Sequence, residues 1–447
     1  MDFKEFKDKL FLKAKENGFN ECEIYFLNKE SLSIAVYEGD LEKYNTNKTF
    51  GLSFRGKLND KIGYSYTEIL DDEAIDMLIK NAKEGAESIE SEDIQFIYEG
   101  DKEYGKVNSF SKDLENIDAE KLIKLALDIE KETKEYSYKV VNLAGCSIGY
   151  SQSDYGIYNT KGLELTNKSN LLTAYVVPVV EDNNKKYDGT GYVTALSIEE
   201  VNPKNIAKQG VDEALSRIGG ISIPSGKYKT IIYNEAMVSL LSTFSSIFDA
   251  NLAQKGLSLL KDKEGEYIAS DIVTIVDDPL MENGLASTAF DDEGVATFKK
   301  NLVKNGKLET LLHNLKTAYK AGKQTTGNGF KSSYASPISI SPTNLYIESG
   351  KLSLDELMEE VGEGLMVTEL AGLHSGANSI TGDFSLAAKG FLISQGRKAY
   401  PVEQITIAGN YFDLLKNIEA VGSDLNFPMS NIGSPSIIVK EISVAGK

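Results

Sequence analysis

Twice before residue 220 the chain reads helix, strands, helix, and that recurrence confines its N-terminal half to an α+β architecture. Residues 3–17 place Phe3, Phe6, Leu10, Phe11 and Ala14 on one helical face, and Gly18 ends the pattern. Short β-like runs follow at 22–28, 32–38, 41–47, 49–55 and 61–67, punctuated by Gly39-Asp40, Gly56 and Asn59-Asp60. Asp71-Asp72 caps a helix over 73–88. After an acidic, aperiodic stretch at 89–110 the order repeats. A helix runs from Asp118 to about 134, strands are predicted near 140–151, 155–159, 164–180 and 189–195, and Asn202-Pro203 opens a third helix. The recurrence admits a weak duplication or two separate α+β lobes.

Ile221-Ser222-Ile223-Pro224-Ser225-Gly226 marks a boundary, beyond which glycine becomes frequent and helices sparse. Short strands between glycine turns predict a mainly-β barrel or sandwich-like domain with one helix packed on it. The expected organisation is three domains: residues 1–105 and 111–220 as α+β lobes with antiparallel sheets, and 225–447 as the β-rich domain.

Composition removes several functions. At 447 residues and 41% hydrophobic, the chain has no apolar run near the ~20 residues that span a bilayer. Its first residues lack a signal-peptide core. Two cysteines, Cys22 and Cys146, cannot make a disulfide framework or a Cys-rich zinc module. These features predict a cytoplasmic protein without a membrane role. A formal charge of -19 with no basic block argues against a nucleic-acid partner. No Walker A loop, complete G-x-G-x-x-G or G-x-S-x-G elbow occurs.

One stretch carries a trace of hydrolase chemistry. An apolar, β-branched run at 229–233 leads into a helical pattern that begins Asn234-Glu235 and has Ser239 four residues after the glutamate. With histidine at 234 and 239 it would read H-E-x-x-x-H, two imidazoles and a carboxylate suited to zinc. Positions five apart lie roughly 140° apart around a regular helix, so such a pair converges only through a π-type bulge. Here the glutamate stands without either histidine. Its plainer reading is a helix-start carboxylate favoured by the macrodipole.

Four motifs occur in a fixed order: Gly-Leu-Ala-Ser-Thr-Ala-Phe-Asp-Asp-Glu-Gly-Val at 284–295, Val-Thr-Glu-Leu-Ala-Gly-Leu-His-Ser-Gly at 367–376, Ile-Thr-Gly-Asp-Phe-Ser at 380–385, and Tyr-Pro-Val-Glu-Gln-Ile-Thr-Ile-Ala-Gly-Asn at 400–410. In these the chain resembles the TldD/PmbA metalloprotease family over nearly its whole length, and within it the PmbA (TldE) branch. The resemblance implies that the TldD branch holds zinc through H-E-x-x-x-H and a late cysteine. The matching positions here are Asn234, Glu235, Ser239 and Ser434, so Glu235 is expected to be vestigial and the chain to carry no metal. Zinc is expected in a TldD-like partner, in a heterodimer, with a homodimer as the alternative. The implied substrate is an unstructured peptide. A noncatalytic gyrase-modulator role and a hydrolase with an unrecognised site are the competing readings.

Two histidines remain to be placed. His313, within Leu311-Leu312-His313-Asn314-Leu315, reads as a packed or capped side chain. His374 lies in a glycine-rich segment that could line a cleft. Glycine permits close backbone approach, so His374, Ser375, Gly376, Thr381, Gly382 and Asp383 form the candidate peptide-binding set, with turn chemistry as the plain alternative.

Overall fold

The computed structural model describes residues 1–90 and 93–447. α1 (Phe3–Glu16) is capped by the Asp2 carboxylate and buries Phe6, Leu10 and Ala14. Three antiparallel strands follow: β1 (Glu21–Tyr37), β2 (Asp40–Leu58) and β3 (Lys61–Thr67). α2 (Asp72–Ser88) closes the first half, with the Asp71 side chain accepting the Ala74 N–H. The sequence divides β1 and β2 into two strands each, but each is one long strand. Register runs unbroken through Lys29–Thr49, Glu30–Lys48 and Ser31–Asn47. That stretch is polar because it faces water, and an exposed antiparallel ribbon needs no apolar alternation.

The second half repeats the plan with α3 (Ala119–Tyr136), β4 (Val140–Asn159), β5 (Glu164–Asp182), β6 (Lys185–Asp188), β7 (Gly191–Ala195) and α4 (Pro203–Ser216). β1 pairs with β4 from Glu23–Asn159 to Ala35–Ser147. The strands therefore form one seven-stranded sheet, ordered β3-β2-β1-β4-β5-β6 with β7 also on β5. Two cores lie against this sheet, one around Phe6, Ile24, Phe54 and Leu78, the other joining Ile34 of β1 to Ile129, Ile148 and Val176. Apart from β6, the order is symmetric about the β1–β4 pair. A matched glycine device supports duplication. A Cβ on Gly63 of β3 would lie 1.7 Å from the Ala82 carbonyl of α2, and one on Gly191 of β7 would lie 1.9 Å from the Ile206 carbonyl of α4. Each glycine lets a helix lie directly on its edge strand.

Residues 93–110 carry no regular helix or strand, yet they are fastened down. Ile97 is buried. The Phe96 and Tyr98 carbonyls accept from Arg55 and Asn159, and the Tyr104 hydroxyl donates to the Gly294 carbonyl.

β8 (Gly226–Ile232) begins the C-terminal domain and runs into α5 (Asn234–Phe244). β8 joins strands Gly364–Ala371, Asp383–Ser394, Arg397–Asn410 and Ile437–Ala445 in a sheet whose last two members also pair, closing a five-stranded barrel. α5 packs between this barrel and a smaller sheet containing Ile275–Asp277 and Leu345–Ile347. Among the described residues, no helix is long and apolar enough to cross a membrane.

Candidate functional site

The strand-to-helix junction places Asn234 and Glu235 in the first turn of α5, beside the chain from Asp424 to Ser436. Asn234 is 5% exposed. Its amide nitrogen donates to the Asp424 carbonyl at 3.1 Å and to the Asp424 carboxylate at 3.2 Å, and its backbone N–H donates to Ser436 Oγ at 3.1 Å. The Ser436 hydroxyl returns to the same carboxylate at 2.7 Å. Asn234 Oδ1 is enclosed and has no hydrogen-bond partner.

Glu235 is half-buried and is met from the central half of the molecule. Tyr192 of β7 donates its hydroxyl to Glu235 Oε1 at 2.8 Å and accepts Asn426 Nδ2 at 3.1 Å. Burial pushes the Glu235 carboxyl above its ordinary range. The Tyr192 hydrogen bond opposes that shift, Glu213 adds to it and Arg217 offsets it. A carboxyl in such surroundings can serve as a proton acceptor, but its near neighbours here are a phenol and amides.

α5 is a regular α-helix. The Ser239 hydroxyl donates to the Glu235 carbonyl at 3.0 Å, closing the turn on itself, and no π-type bulge is present at this point. Ser434 is fully buried and donates to the Pro435 carbonyl. Asn234, Ser239 and Ser434 offer an amide and two hydroxyls, and the regular helix does not turn Asn234 and Ser239 to one side. Zinc favours imidazole, thiolate and carboxylate ligands, and this donor set does not fit it. Among the described residues, no group of three or more His, Cys, Asp or Glu side chains is placed to hold a metal ion.

The one-turn helix Leu373–Gly376 packs beside α5, which brings the second candidate set to the same region. His374, Ser375, Thr381 and Asp383 are exposed there. The two glycines have reasons internal to the chain. A Cβ on Gly376 would lie 2.3 Å from the Ser385 carbonyl. Gly382 has φ +83° and faces Phe412 at 2.7 Å. The Asn410 side chain donates to the Thr381 carbonyl and the Asp383 carboxylate, holding this turn. His313 is buried. Its Nδ1 lies 3.2 Å from Thr317 Oγ1, its Nε2 has no partner, and burial lowers its pKa, as for a packed imidazole.

Sequence reasoning missed a polar core under the 284–295 motif, where the barrel domain meets the N-terminal sheet. Asp291 accepts N–H groups from Glu293, Val295 and Gly329, and Asp292 accepts that of Lys331. Burial raises the Asp292 and Glu293 carboxyls to about 7 and lowers Lys331 to about 7. Glu23 and Arg55 of the sheet form a buried ion pair at 2.9 Å beside them. The signal was present as Asp291-Asp292-Glu293 between apolar and glycine residues. Acidic residues in such a loop read as solvated until tertiary packing encloses them.

A sheet flanked by two helix pairs and followed by a closed barrel, with a strand-to-helix junction at the barrel's first strand, is the architecture of the metallopeptidase-like PmbA/TldD class. Three sequence models of that class match in series: PmbA/TldA metallopeptidase domain 1 over 22–86, the central domain over 112–218, and the C-terminal domain over 225–446. The chain belongs to the PmbA/TldD family. It is 30% identical to the metalloprotease PmbA of Escherichia coli O157:H7 over 335 residues, 74% of this chain and 71% of that one. It is 27% identical to a PmbA homolog of Buchnera aphidicola, over 97% of this chain and 95% of that one. Among solved structures, a candidate modulator of a DNA gyrase from Thermotoga maritima superposes with a TM-score of 0.93 at 35% identity, covering 99% of this chain and 100% of that one. TldE from Thermococcus kodakarensis shares the fold, with a TM-score of 0.90 at 23% identity over 99% and 100%.

Proposed function

We propose that this chain is the zinc-free subunit of a two-chain metallopeptidase acting on unstructured peptides, with the metal carried by a TldD-like partner. The observation that carries the reading is the state of α5. At the positions where the resemblance places imidazoles, Asn234 holds the Asp424 carboxylate and Ser239 holds a backbone carbonyl of its own helix. Without a metal, a water beside Glu235 is as weak an acid as bulk water, and a carboxylate does not deprotonate it usefully. Glu235 instead orients Tyr192 and joins the central half of the molecule to the barrel domain. The exposed side chains of His374, Ser375, Thr381 and Asp383 would offer the peptide polar contacts beside α5.

The test is turnover of an unstructured fluorogenic peptide by the chain alone, by a zinc-bearing TldD-like partner, and by the two together. The chain alone is expected to be inactive and to hold no stoichiometric zinc by elemental analysis. In the pair, Glu235→Gln should leave cleavage within a few-fold of wild type, because the glutamine carbonyl still accepts from Tyr192. Cleavage by the chain alone, or its loss on Glu235→Gln in an assembled pair, would overturn the proposal.

A further inference from the structure

A pocket of about 320 Å³ lies between the N-terminal sheet and the barrel domain, away from α5. Its charged walls are Arg55, Glu293, Lys316 and Lys331, and Ile62, Phe96 and Ile338 supply an apolar side. The hydrogen bonds already made decide which charges are open to a ligand. Lys331 directs its ammonium to Ser53 Oγ, Tyr64 OH and the Ser336 carbonyl at 3.1, 3.2 and 3.0 Å, which accounts for all three of its donors. Lys316 is held by Asp93 at 3.0 Å. Arg55 gives one N–H to Glu23 and one to the Phe96 carbonyl, leaving three of its five donors without a protein acceptor among the described residues. Glu293 accepts the Leu315 N–H through Oε2 at 2.7 Å, and its other oxygen has no hydrogen bond among the described residues.

Arg55 and Glu293 are 6% and 5% exposed, line the same space, and are not joined as an ion pair among the described residues. Arg55 is already paired with Glu23, so Glu293 is the buried charge left without an ion-pair partner among the described residues, which is costly. Here a cavity keeps Arg55 and Glu293 apart. Gly329 leaves room for the Glu293 carboxylate, since a Cβ at that position would lie 2.5 Å from Oε2.

We propose that this pocket binds a small zwitterion, a free apolar α-amino acid or a dipeptide, with its carboxylate on Arg55, its ammonium on Glu293 and its side chain on the apolar wall. A doubly charged anion such as phosphate is disfavoured, because Arg55 is the cation with donors to give and Glu293 would repel it. The volume is at the small end of ligand pockets, which begin at about 300 Å³, and suits an amino acid or dipeptide better than a nucleotide. The inference stands on this pocket and does not depend on the peptidase reading.

Isothermal titration calorimetry on the full chain tests it, with L-leucine and L-leucyl-L-leucine as probes. 4-Methylpentanoate keeps the carboxylate alone and 3-methylbutylamine the ammonium alone. At least one zwitterion should bind about tenfold or more tighter than either half-molecule, and inorganic phosphate should not displace it. Glu293→Gln retains an oxygen for the Leu315 N–H and should weaken zwitterion binding by about tenfold or more. If that variant fails to fold, the analogue series on the wild-type chain still decides the matter. No heat from either zwitterion at millimolar concentration, equal binding of 4-methylpentanoate, or displacement by phosphate would overturn the assignment.

Discussion

Removing the Tyr192 hydroxyl isolates one tie between the central half and the barrel domain. Tyr192→Phe keeps the ring and deletes the oxygen that donates to Glu235 at 2.8 Å and accepts Asn426 at 3.1 Å. A hydrogen bond to a charged group contributes about 1.5–3 kcal/mol, against about 1 kcal/mol for a neutral one. Glu235 is half-buried, so water softens the loss, and we expect about 2 kcal/mol at about pH 8, where the carboxylate is ionised. The sign of the pH dependence follows from the direction of the Glu235 shift. Burial raises its pKa above the unfolded value, and the tyrosine holds part of that rise back. The stability linked to this group is fully present below the ordinary glutamate pKa and is lost as pH rises through the folded one. Without Tyr192 the folded pKa climbs further, so the loss extends to higher pH. The deficit of Tyr192→Phe should therefore shrink to about 1 kcal/mol near pH 4 and grow toward neutrality. Thermal unfolding followed by circular dichroism at both pH values reads this out, with a Tm lowered by roughly 2 °C at the higher pH. Glu235→Gln should remove the pH dependence and most of the deficit's growth. A deficit below about 0.5 kcal/mol, or one equal at the two pH values, would refute the argument.

Further outcomes follow from the same contacts. Gly382→Val should destabilise by at least about 1 kcal/mol by thermal melt, because φ +83° is strained for a β-branched residue and Phe412 occupies the Cβ position; an unchanged Tm alongside weakened peptide cleavage would instead favour a docking role. Burial raises Asp292 to about 7, so its stability contribution is present below about pH 3.8 and is lost as pH rises toward 7. Asp292→Asn, which can still accept the Lys331 N–H, should flatten that fall in denaturant titrations across the range. Limited proteolysis should spare residues 95–105 despite their lack of regular structure, since Ile97 is buried and the carbonyls on both sides of it are hydrogen-bonded; an early cut there, mapped by mass spectrometry, would show the anchoring to be weak.

Local order was legible in the chain because it has local causes. Asp2, Asp71, Asp118 and Asn202 each cap the helix they precede, and apolar spacing marks the buried face of each helix. The α+β halves, the glycine-bounded β domain and the strand-to-helix junction at 229–239 were all readable from period and punctuation. What sequence could not supply was everything set by pairing at a distance. Long exposed ribbons in β1 and β2 look like broken strands, because water-facing residues carry no alternation. The β1–β4 pairing joins residues more than a hundred positions apart, and no local signal distinguishes one shared sheet from two. The meeting of Tyr192 with Glu235, the enclosure of Asp291, Asp292 and Glu293, and the separation of Arg55 from Glu293 across a cavity arise where distant segments pack. There the cost of burying charge decides each contact, and burial belongs to the folded chain and not to any stretch of it.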